Sequence, residues 1–149
     1  MINNSESLEY YLYERIIFPK CKEETKSYIL NVFATPVKHD LSKDSLTLKY
    51  YQALSDHKFQ SFQHLADWIL FVRSIFPATL NGASPEYYDA LAQSSYYQCY
   101  KLMQRRWILF EELADIFPVI IESLQDSLKS RESSHLTDTL PTDLYLGKP

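Results

Sequence analysis

Apolar residues in this chain recur at three- and four-residue spacing, and the runs are closed by proline, which predicts helices joined by short turns. The segment Ser7–Phe18 ("SLEYYLYERIIF") is apolar nearly all round and stops at Pro19, as a buried first helix would. A second helix is predicted from Glu23 to Ala34, with Tyr28, Ile29, Val32 and Phe33 on one face and Thr35-Pro36 beyond its end. Val37 to Lys43 reads as a connection. Asp44 or Ser45 then caps a third helix through Leu54, with Leu48, Tyr51 and Leu54 facing inward.

The fourth helix, about Phe59 to Phe76, is predicted to be the centre of the fold. At ~100° per residue, Phe62, Leu65, Trp68, Ile69, Val72, Ile75 and Phe76 cover about half its circumference, and Leu70 and Phe71 spill beyond. Such a helix must be enclosed by several others. Pro77 ends it, and Asn81-Gly82 supplies the left-handed conformations for a turn. Ser84, Pro85 and Glu86 form a helix start: N-cap, first-turn proline, and a carboxylate at the positive end of the dipole.

In this fifth helix Tyr88, Leu91, Ala92, Ser95, Cys99 and Leu102 share one face, flanked by Tyr87 and Tyr96. Tyr97 and Tyr100 point away with Asp89, Gln93 and Lys101. The tyrosines therefore form no single stacking stripe. A last helix is predicted from about Met103 to Leu128, its apolar phase unchanged across Pro118, so a kink or short break is expected there. Residues 1–128 read as one helical domain and 129–149 as a polar Ser/Thr-rich tail, its Leu144, Tyr145 and Leu146 either free or docked.

Composition narrows the function. With two glycines in 149 residues, phosphate-cradling loops and tight hairpins lose support. A net charge of −4 lacks the basic footprint of a nucleic-acid binder. Cys21 and Cys99 make neither a disulfide framework nor a four-ligand zinc site, which fits a reducing compartment. The N-terminus lacks the basic region of a secretory signal, and the longest apolar run carries Arg73 and is too short to span a bilayer. A cytoplasmic protein with no membrane or nucleic-acid partner is expected.

The blocks "HLADWILFVRSIFPATL", "PEYYDALAQSSYYQCY" and "LFEELADIFPVIIESLQ" resemble, in order and spacing, the core of a family of uncharacterised bacterial all-helical proteins. In that family a Gly-Asp pair precedes an aromatic "LF..G.FP..L" run, followed by a "YY...G..AY" helix and an "EL...F...V..L" helix. The matching positions are Asp67, Phe71, Phe76, Pro77, Leu80, Tyr87, Tyr88, Tyr96, Glu112, Leu113 and Phe117. Ala66, Ser74 and Ala92 stand where the family has glycine, keeping the side chains small without glycine's backbone freedom. The resemblance covers about residues 59–124 and implies a helical fold and a bacterial origin, not a reaction.

Asp67 lies beside the most apolar segment, where a carboxylate must find donors or titrate. Tyr88 and Tyr96 are candidate donors and Arg73 a candidate counter-charge, so one or more of them is expected to join Asp67 in a polar knot between the fourth and fifth helices. With Glu112, this set is also the candidate ligand site. His64, Asp67, Glu111, Glu112 and Asp115 offer metal-ligand types, but the chain has no Glu-x-x-His, so no metal or cofactor is expected. Cys99, mid-helix on an apolar face, reads as an inert thiol, so no catalytic residue is assigned. The candidate recognition surface is Tyr97, Tyr100, Lys101, Arg105 and Trp107, because aromatics and arginine are enriched in interfaces.

The expected architecture is an all-α, single-domain bundle of six or seven helices around residues 59–76, with a proline-kinked last helix. The expected function is a non-enzymatic interaction or regulatory module, binding a protein partner or itself as a homodimer. The alternative is a small-molecule-binding or enzymatic bundle with a pocket around Asp67, Tyr88, Tyr96 and Glu112.

Overall fold

The computed structural model describes residues 18–34 and 43–129, and in them the chain is all-α. Five helices follow one another: α1 (Glu23–Ala34), α2 (Lys43–Asp56), α3 (Phe59–Ile75), α4 (Pro85–Leu102) and α5 (Ile108–Lys129). A 3-10 turn, Pro77–Thr79, links α3 to α4. The helix expected over 7–18 falls almost wholly outside the described residues, as does the 130–149 tail, so the described count is five rather than six or seven. No described helix is long and apolar enough to cross a membrane.

Helix α3 packs against all four others, which explains why Trp68 through Val72 are completely buried regardless of face. Its aromatic residues build the interior: Trp68 stacks on Phe71, which also meets Phe33 of α1. The α3–α4 turn follows its local chemistry. Gly82 takes φ 89°, Ser84 accepts the Tyr87 N–H at 3.2 Å, and Pro85 opens α4.

Three expectations change. In α2 the inward positions are Leu46 and Ala53, fully buried, whereas Leu48 and Tyr51 are 57% and 61% exposed. The helix carries apolar residues on two adjacent faces (Leu46, Tyr50, Ala53 and Leu48, Tyr51), and spacing alone does not choose between them. The last helix starts at Ile108, not Met103, because Gln104 and Arg105 take left-handed φ of 56° and 61°. Non-glycine residues enter that region at a cost of roughly 1 kcal/mol each, so no apolar pattern announces the break.

Third, of the kink or short break expected at Pro118, the break does not occur: Pro118 lies inside one helix, Ile108–Lys129. Proline has no N–H to give to the carbonyl four residues back. That carbonyl belongs to Ala114, and the Gln93 side chain of α4 donates to it at 2.8 Å. Gln93→Ala should therefore cost about 1–2 kcal/mol in urea unfolding, and close to nothing once Pro118→Ala restores the backbone donor. Equal costs in both backgrounds would refute this account.

Candidate functional site

Several polar groups of the interior bond to one another, while the buried Trp68 indole N–H and Ser74 hydroxyl find no hydrogen-bond partner among the described residues. Helices α3 and α4 run antiparallel: six positions from Asp67 to Arg73 on α3 answer seven positions back from Tyr96 to Asp89 on α4. This register brings Asp67 to Tyr96, whose hydroxyl donates to Oδ1 at 2.8 Å. Tyr28 of α1 donates to both carboxylate oxygens at 2.7 and 3.0 Å, and Gln63 donates to the Tyr28 hydroxyl at 3.0 Å. Asp67 thus joins α1, α3 and α4 with two tyrosine donors and, among the described residues, no cation bonded to it.

Burial pushes the Asp67 carboxyl up to about 7, and the two tyrosine hydrogen bonds pull against that rise. Burial, with Asp67 beside them, likewise pushes the Tyr28 and Tyr96 hydroxyls and the Cys99 thiol well up. Cys99 therefore stays protonated, its Sγ 3.8 Å from the Phe59 carbonyl.

The other expected members of this knot sit elsewhere. Arg73 is six residues from Asp67 on the same helix, which turns it about 120° away and ~9 Å along the axis. Its guanidinium instead grips Asp89 through Nε at 2.7 Å and Nη2 at 3.0 Å, a bidentate pair with both residues 9% exposed. Asp89, expected outward, is buried by this pair. Gln125 of α5 donates to the Arg73 backbone carbonyl at 2.6 Å, tying α5 to the last turn of α3.

Tyr88 donates to the Asn81 carbonyl at 2.6 Å and secures the turn before α4. Glu112 accepts from the Lys22 N–H at 3.0 Å and from the Thr25 hydroxyl, so it caps α1 from α5. Asp67, Tyr88, Tyr96 and Glu112 thus serve three separate joints. Tyr28 is the knot residue that sequence reasoning missed. The signal was there: a tyrosine on the apolar stripe of α1 must bring its hydroxyl to a partner.

Open clefts lie on the surface formed by the described residues. One, of about 400 Å³, is lined by Arg73, Glu86, Asp89, Gln93, Pro118, Ile121, Glu122 and Gln125. Another, of about 420 Å³, is lined by Lys22, Glu24, Arg106, Trp107, Ile108 and Leu109. Asp67 lines neither. Among the described residues, no group of three or more His, Cys, Asp or Glu is placed to hold a metal ion.

The candidate recognition residues occupy the corner where α4 ends and α5 begins. Tyr97 is 42% exposed, its ring 6.0 Å from that of Tyr100 and 5.6 Å from the Lys101 ammonium. Arg105 is exposed in the left-handed turn. Trp107 is 48% exposed, although its inner side stacks on Phe110 at 5.8 Å and meets the edge of Phe59 at 5.9 Å. Ile108, at 45%, extends this exposed apolar corner. No protein-family model, curated protein or solved structure matches this chain.

Proposed function

We propose that this chain is a non-enzymatic protein-interaction module of the bacterial cytoplasm, related to the helical family that residues 59–124 resemble, and that it works through the α4–α5 corner. One observation carries the reading. Of six large apolar side chains exposed among the described residues, three, Tyr97, Trp107 and Ile108, fall within twelve consecutive positions. Solvent-exposed aromatics held rigid by a packed interior are what a binding surface needs, because little ordering entropy remains to be lost on docking.

The test is partner capture from a bacterial lysate with wild type and with Tyr97→Ser and Trp107→Ser, alongside light scattering for self-association. The expected result is a partner, or a dimer, retained by wild type and lost from at least one variant that melts at the wild-type temperature. Identical capture and mass for all three proteins would overturn the reading. The alternative, a ligand-binding or enzymatic bundle, draws on Asp67, whose carboxyl near 7 suits general acid–base work. Against it stands the separation of Tyr88 and Glu112 from that carboxyl.

A further inference from the structure

We infer that the Trp107 cleft docks a short acidic segment of a partner protein, with an apolar or aromatic residue of that segment lying on the indole. This rests on the interaction-module reading and names the chemistry of the partner. The cleft, about 420 Å³, has an apolar wall of Trp107, Ile108 and Leu109 and a charged rim of Lys22, Arg106 and Glu24. The indole is preorganised: Phe110 and Phe59 hold it from within, and nearly half of it remains open to solvent.

Charge selects the occupant. Two cations face one carboxylate in the lining, in a chain whose net charge is −4. Of the acids near the lining, Glu23 lies 3.5 Å from the Lys26 ammonium, and Glu112 accepts from Lys22 N–H and Thr25. The first turn of α5 also borders the cleft and adds the positive end of one helix dipole, whereas that of α1 is already capped by Glu112. A local positive excess on an acidic protein complements acidic side chains. A nucleic-acid backbone would want a row of cations, whereas half of this lining is apolar.

The experiment selects short random peptides displayed against the full chain, then measures the enriched peptides by calorimetric titration and by competition with a single-stranded oligonucleotide. Expected are acidic peptides with an aromatic or leucine anchor, binding more weakly as salt rises. Their affinity should fall at least about tenfold in Trp107→Ser and in Lys22→Glu/Arg106→Glu, the second variant leaving the ring packing untouched. Neutral or basic peptides, or displacement by the oligonucleotide, overturn the inference. Peptides lost with Tyr97→Ser but indifferent to Trp107 overturn the cleft and keep the interaction module. Enrichment sensitive to none of these variants overturns both.

Discussion

Arg73→Met is expected to lower the unfolding free energy by about 3 kcal/mol, because it leaves Asp89 buried without its counter-charge. That figure sits at the low end for a broken buried pair, since the two side chains keep 11% and 12% of their exposure at the mouth of a cleft. The pair joins the last turn of α3 to the early turns of α4, and the same carbonyl framework is held by Gln125 from α5. Arg73→Met/Asp89→Leu should recover most of the loss, since an apolar pair of similar volume carries no desolvation cost. Urea unfolding of the two single variants and the double variant measures the coupling. Additive losses would mean that the two groups do not depend on each other.

The second large effect is on the pH dependence of stability. The folded Asp67 carboxyl titrates at about 7 against an ordinary 3.8, so between those values the native state keeps a proton that the unfolded chain has released. Stability from this group is therefore full near pH 4, falls as the pH rises toward 7, and is flat above. The total is on the order of 2–4 kcal/mol. Asp67→Asn mimics the protonated carboxyl and offers Tyr28 and Tyr96 a carbonyl oxygen. Its stability should match wild type near pH 4 and exceed it by that amount at pH 8. Parallel stability curves from pH 4 to 8 would show that Asp67 is held in the same protonation state throughout.

Residue patterns alone determined what is local. Proline at 77, the Asn81-Gly82 turn and the Ser84 cap fixed where α3 stops and α4 starts, because each acts on the backbone within a few residues. The unbroken apolar run from Trp68 to Val72, spilling beyond one face, marked the central helix, since burial on every side leaves no room there for a polar stripe. The need of Asp67 for donors was equally legible from its apolar setting.

Which donors meet it was decided only by tertiary structure. Tyr28 lies 39 positions from Asp67 in sequence, and Tyr96 lies 29. Periodicity records which face of a helix is buried, not the axial register at which its partner lies against it. The α3–α4 register sent Arg73 to Asp89 rather than to Asp67, and packing of α4 on α5 delivered Gln93 to the carbonyl freed by Pro118. The same limit explains α2: two apolar faces were available, and the neighbours chose Leu46 and Ala53. The left-handed Gln104 and Arg105 were hidden because neither is a residue type that marks such a turn. That break, set by the docking of α5 beside α4, is what brings Trp107 out of the helical stripe and into the surface cleft.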